Sequence, residues 1–194
     1  MTEANFLQYY DLENYLFNNV STRYTHFKTL TTFDFFCIVI WKANRAKSKV
    51  AERLLAHASG QDNLESAVNS LVTAISMAKD QKERLFVLIE GWGFRLPMAS
   101  AILTVLYPED FTVYDIRVCN VLGDFKDAQY KTNFATLWER YSAYIIAVRE
   151  AVTEQSTLRD KDRFLWGKSF ATQLKADIQS SFGHEAVDTE FKAQ

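Results

Sequence analysis

The sequence predicts an all-α protein, organised as one compact helical unit of one or two lobes. Only six glycines and two prolines interrupt its 194 residues, and the apolar residues recur mostly at three- and four-residue intervals, the period of amphipathic helices. With 48% hydrophobic and 14% aromatic residues, the chain can bury one sizeable core or two small ones sharing an interface. Strand is expected only as a stray extended pair.

A first helix is expected over 3–17, capped by Thr2, with Phe6, Tyr9, Tyr10, Leu12 and Leu16 as its apolar contacts. Residues 20–30 read as turn and short helix. Thr32 can cap the next helix, Asp34 falls in its first turn where the helix dipole favours negative charge, and F-D-F-F-C-I-V-I-W is apolar on nearly every side, so this helix is expected at the centre of the core. A break near Asn44 restarts a helix that ends at Gly60. Leu64, Val68, Leu71, Val72 and Ile75 carry a helix over 64–79, and 82–89 makes a short one. Gly123 reads as the stop of a helix begun at Asp115. Residues 133–154 form a long amphipathic helix through Leu137, Tyr141, Tyr144, Ile145 and Val148. Thr157 to Asp160, T-L-R-D, matches a capping box with Asp in place of Glu and opens a last helix toward Phe182 and Gly183. A frayed tail over 184–194 follows. There is no internal repeat, no low-complexity segment and no linker long enough to separate independent domains.

The formal charge of −2 gives the chain as a whole no electrostatic reason to bind a polyanion, so any nucleic-acid face must be local. Cys37 and Cys119 are too few for a disulfide framework or a four-cysteine cluster and fit a reducing, intracellular compartment. The N-terminus lacks the basic start and apolar run of a signal peptide, and no segment approaches membrane-spanning length without charge. His26, His57 and His184 are scattered without metal-ligand spacing, and no metal is expected.

The stretch 88–122 carries the functional signal. Gly91 and Gly93 bracket Trp92 between two helical segments, where small residues permit a tight turn and bring backbone N–H groups close to a ligand. A helix N-terminus behind such a turn is a natural phosphate site, and Pro97 suits the first turn of that helix. An ordinary helical hairpin explains the same glycines. Further on, F-T-V-Y-D-I-R-V sets three extended-favouring residues before Asp115, which would cap the helix that follows; capping by itself accounts for an aspartate there.

The whole arrangement, I-E-G-W-G, then M-A-S-A-I-L, then V-Y-D, resembles the helix-hairpin-helix (HhH-GPD) DNA glycosylase superfamily, the endonuclease III and alkyladenine/8-oxoguanine glycosylase group, whose hairpin reads roughly L-P-G-V-G-x-x-T-A and whose catalytic aspartate follows after an apolar helix. Upstream, F-D-F-F-C-I-V-I-W-K-A-N is similar to the family's F-E-L-L-I-A-V-L-L-S-A-Q. The resemblance covers 32–122 and implies a two-lobed helical glycosylase-like fold over 1–183 with a helix-hairpin-helix motif. It places the catalytic role on Asp115 and sets Asn44 where the family fills the gap in the duplex. The sequence departs from the family at three points. The stretch between Gly93 and Ala99 is two residues longer than usual, and the hairpin lysine of bifunctional members is replaced by Arg95 or Pro97. The iron–sulfur cluster of the endonuclease III branch cannot be built.

What the resemblance implies is a monofunctional, cofactor-free glycosylase acting on double-stranded DNA with a damaged or modified base, in the cytoplasm and associated with the nucleoid. Hydrolysing an N-glycosidic bond builds positive charge on the sugar, which a carboxylate at Asp115 would stabilise while orienting water. Without the hairpin lysine no amine stands at the usual place to form a Schiff base, so the strand would be left uncut. The target base must be flipped out. DNA contacts are expected from Gly91, Trp92, Gly93, Phe94 and Arg95 in the hairpin, from Lys42, Asn44 and Arg45 at the end of the central helix, and from Arg117. Trp41, Tyr114 and Trp166 are candidate walls of the base pocket. Each has a plainer reading, as solvated helix end, ion pair or core aromatic. Two other classes stay open: a helix-hairpin-helix DNA-binding protein without chemistry, and a helical interaction protein with no nucleic-acid role.

Overall fold

The computed structural model describes residues 3–57 and 63–180, and among them it holds helices and turns but no strand. The expected cap at Thr2, the stop at Gly60, the helix end at Phe182 and Gly183, and the tail over 184–194 lie outside the described residues.

The expected first helix is broken. A 3₁₀ stretch, Glu3–Tyr9, gives way to α1, Leu12–Tyr15, because Asp11 leaves helical geometry and accepts the N–H of Asn14 at 3.0 Å. A π-helical turn, Leu16–Val20, then carries the chain into α2, Ser21–Phe27. The central helix α3, Thr32–Ala43, takes its cap from Thr31 rather than Thr32: the Thr31 hydroxyl accepts the N–H of Asp34 at 3.1 Å. Asp34 is more than a first-turn charge. It is buried, accepts the Tyr15 hydroxyl at 2.6 Å and the Thr31 hydroxyl at 2.7 Å, and pairs with Arg23, tying the N-terminal helices to α3.

The break at Asn44 is a 3₁₀ turn, Asn44–Ala46, followed by α4, Lys47–His57. Asn63 caps α5, Leu64–Met77, and Asp80 caps α6, Gln81–Phe86, which runs on into a π-helical turn, Val87–Gly91. α7, Leu96–Leu106, has Pro97 in its first turn and is buried almost throughout. Each fully buried aliphatic such as Ile102 or Leu103 contributes about 1.5–3 kcal/mol. α8, Ile116–Leu122, begins at Asp115 and stops at Gly123, whose φ of 75° is left-handed. Asn133 caps α9, Phe134–Ala151. Thr157 caps the start of α10, Leu158–Ser180: its hydroxyl accepts the Asp160 N–H at 3.0 Å and donates to the Asp160 carboxylate at 2.7 Å.

α3 packs on α7, α4 and α5, while α10 lies along α8 and α9. No helix among the described residues is long and apolar enough to cross a membrane.

Candidate functional site

Between α7 and α8 the chain runs extended without a strand partner and 111–114 are all buried, so beyond the Phe111 N–H, which returns to the Tyr107 carbonyl at 3.1 Å, its backbone groups depend on side chains. The Tyr141 hydroxyl donates to the Thr112 carbonyl at 2.6 Å and the Tyr144 hydroxyl to the Val113 carbonyl at 2.9 Å, both from α9. Ser100 on α7 accepts the N–H of Tyr114 at 2.9 Å, and the Tyr114 hydroxyl donates to the Phe125 carbonyl at 2.8 Å. Burial, above all, holds these three phenols in the protonated form in which they can donate. Two helices thus fix the three residues before Asp115.

Asp115 has extended backbone, and its Oδ1 accepts the N–H of Arg117 at 2.9 Å, capping α8. Its Oδ2 accepts Lys42 Nζ at 2.9 Å, and the same ammonium lies 3.4 Å from the Tyr114 carbonyl oxygen. Lys42 sits in the last turn of α3, 73 residues before Asp115. The side chains are 15% and 26% exposed, so the pair is sheltered yet reachable.

Both line a cleft of about 500 Å³. Val113 and Trp41 also line it, with Arg117 from α8 and Trp166 from α10. A charge network shares the lining. Arg159 pairs with Asp162 and, at 2.8 Å, with Glu13 Oε1, while its guanidinium lies 5.1 Å from the Trp41 ring centre and 5.2 Å from that of Phe17. Arg163 Nε joins Glu13 at 3.2 Å. Asp162 is 2% exposed, and its carboxyl is pushed up to about 6, first by burial and also by the Asp115 charge, against the pull of Arg159 and Lys42. Among the described residues no group of three or more His, Cys, Asp or Glu could hold a metal ion.

The structure gathers Asp115, Lys42, Arg117, Trp41 and Trp166 around one cleft, and separates the other expected residues from it. Tyr114 is fully buried, so its ring belongs to the core and offers no wall to a base. Arg117 makes no ion pair with Asp115; its guanidinium lies over Trp166 at 5.4 Å and Phe170 at 5.9 Å and donates to Gln173 at 3.1 Å. Asn44 and Arg45 are exposed on the turn beyond Lys42, outside the cleft lining. In the hairpin, Trp92 and Phe94 are 7% and 4% exposed and cannot present their rings to a nucleic acid. Trp92 packs on His57 of α4, and Arg53 of α4 lies over Phe94. Only Gly93 uses the left-handed region, at φ 66°; Gly91 does not. The N–H groups of Trp92 and Phe94 return to the Val87 and Leu88 carbonyls at 2.9 and 2.8 Å, leaving Gly91, Gly93 and Arg95 as the exposed part of the turn.

Sequence reasoning missed Glu13, Arg159 and Asp162 as site residues. Arg159, Asp162, Arg163 and Trp166 share one face of α10 at three- and four-residue spacing, a signal that reads equally as a solvated ion-paired face. Glu13 lies 146 residues from Arg159, and no local pattern links them. The chain matches no family model, no curated protein and no solved structure.

Proposed function

We propose that the protein is a DNA base-excision enzyme that hydrolyses the N-glycosidic bond of a damaged or modified base, with Asp115 as its catalytic carboxylate. The observation that carries this reading is that Asp115, rigidly held at a helix start, opens into a cleft of about 500 Å³, within the roughly 300–1,000 Å³ of small-molecule sites. A flipped nucleotide entering there would bring C1′ of its sugar toward Asp115. The carboxylate then stabilises the positive charge that grows as the base departs, and orients the attacking water. Trp41 and Trp166 line the cleft, each with a guanidinium over its ring, Arg159 on Trp41 and Arg117 on Trp166, so a flipped base would stack there only by displacing one of them.

In this reading α6, the turn at 92–95 and α7 would act as the helix-hairpin-helix that grips the duplex. Gly93 and Arg95 are exposed there beside Arg53, and Arg45, Lys47 and Lys49 form an exposed basic run nearby in sequence. Such contacts grip phosphates without reading sequence. No cofactor enters this chemistry, and the cytoplasmic nucleoid is the place where it has its substrate.

A second reading has its own observation. Both oxygens of Asp115 are already engaged, one by the helix N–H and one by Lys42, which a purely structural cap also explains. The protein would then bind DNA without cutting the base free. One experiment separates the two: duplexes carrying alkylated, oxidised or deaminated bases are incubated with the protein and scored for abasic sites, with Asp115→Asn as control. Base release that the variant loses supports the enzyme. Salt-dependent binding with no release supports the second reading.

A further inference from the structure

α10 carries a packed face and an exposed apolar one. The packed face, Leu158, Asp162, Leu165 and Ser169, is buried, and the helix lies along α8 and α9. Roughly 170° around the helix from it, Phe164, Gly167, Ala171, Leu174 and Ile178 follow one another at spacings of three, four, three and four residues. That is the heptad seam by which helices pair side by side. Phe170 flanks the seam, and Phe164, Phe170, Leu174 and Ile178 are each between 42% and 52% exposed. Lys168 and Lys175 edge the seam on one side and Asp177 on the other. From Phe170 to Ser180 every residue is exposed, over a length of about 16 Å. So short a helix is marginal in water unless its apolar side is packed.

We propose that this face pairs with the same face of a second copy of the chain, the two α10 helices lying parallel about a two-fold axis. Area and charge both fit that occupant. The four large side chains present roughly 350–400 Å² of apolar surface per chain. At the roughly 60% apolar share of an interface, two copies would bury about 1,200 Å² in total, the lower bound for a specific, reversible pair. Orientation follows from the edges of the seam. An antiparallel pair sets the Lys168 and Lys175 edge of one copy against the same edge of the other, a contact of like charges. A parallel pair sets it against the Asp177 edge instead. The two-fold arrangement uses one patch twice and closes at two chains. Phe170 also stacks on Trp166 with ring centres 5.7 Å apart, and Trp166 lines the cleft, so the second copy borders the site that holds Asp115.

Sedimentation of the full chain under reducing conditions, from about 1 to 200 µM, tests the pairing. The expected result is a reversible monomer–dimer equilibrium with a dissociation constant in the micromolar range. Leu174→Glu combined with Ile178→Glu places like charges in the seam and should raise that constant at least about tenfold. Circular dichroism and melting of the dilute protein should not change, because both residues are exposed. Lys175→Glu reads the orientation: it weakens a parallel pair, by facing the Asp177 edge, and tightens an antiparallel one. Ile178→Cys gives a second readout that leaves the charges alone. Mild oxidation should join two chains at position 178, while Gln179→Cys, off the seam, links far more slowly; Cys37 and Cys119 are buried and stay out of the reaction. A chain that is monomeric throughout the range, its face left bare or covered by its own residues 181–194, overturns the proposal. So does a dimer indifferent to the seam substitutions, an association that tightens in Lys175→Glu, or growth beyond two chains.

Discussion

Replacing Asp162 with asparagine tests the electrostatics of the charge network that lines the cleft. The carboxyl is almost fully buried, and its displacement from 3.8 to about 6 corresponds to about 3 kcal/mol, at roughly 1.4 kcal/mol for each unit. Burial is the leading cause, and the Asp115 charge adds to it; Arg159 and Lys42 oppose it. The sign follows from proton counting. Between pH 3.8 and about 6 the folded protein holds a proton on Asp162 that the unfolded chain has released, so unfolding free energy falls as pH rises through this window. This contribution is fully present below about pH 4 and gone above about pH 6. Asp124 and Asp127 are held low, each foremost by hydrogen bonds from basic side chains, so their effect is lost only as pH falls below the usual carboxylate range. Urea unfolding of wild type and Asp162→Asn at several values between pH 4 and 7 therefore isolates the group. The wild type should lose stability relative to the variant by about 3 kcal/mol across that interval. A difference between the two that stays flat with pH would refute the placement of a buried, displaced carboxyl at this position.

Two further perturbations probe how the site is held. Tyr144→Phe and Ser100→Ala each strip the partner from a buried backbone group of the 111–114 segment, the Val113 carbonyl and the Tyr114 N–H; each should cost about 1–3 kcal/mol by denaturant titration, and both should slow base release by loosening Asp115. Gly93→Ala forces an alanine to φ 66°, with Arg53 at an ordinary contact distance of 3.5 Å, so a loss of about 1–2 kcal/mol from backbone strain is expected; Gly91→Ala meets open space without a left-handed backbone and should be neutral or stabilising by thermal melting.

Much of the fold was legible because helix boundaries are written in local chemistry. Asp115, Gly123, Asn133 and Thr157 act at the helix ends where the sequence put them, since caps need only a side chain and the next three residues. The neighbouring Thr31 and Thr32 are chemically equivalent caps, and local chemistry alone does not separate them; Thr31 takes the role. The extended run before Asp115 was readable from its β-branched and aromatic residues, but its anchoring was not: the tyrosines that clamp it come from α9, 29 and 31 residues away. The site divides along the same line. Asp115 could be singled out from a single stretch. Its partner Lys42 read as one more member of a basic helix end until folding brought α3 against the start of α8. Trp92, Phe94 and Tyr114 were ambiguous for the opposite reason, as aromatic residues serve core and surface alike and only burial assigns them.

If Asp115 acts on the glycosidic bond, single-turnover base release by wild type and Asp115→Asn will show it, with the concentration of each set well above its measured Kd for the duplex. Asparagine also caps helices, so the variant should fold and bind. The wild type should release the base from at least one damaged duplex, and the variant should do so at a rate lower by about a hundredfold or more. Equal rates in the two proteins would contradict it.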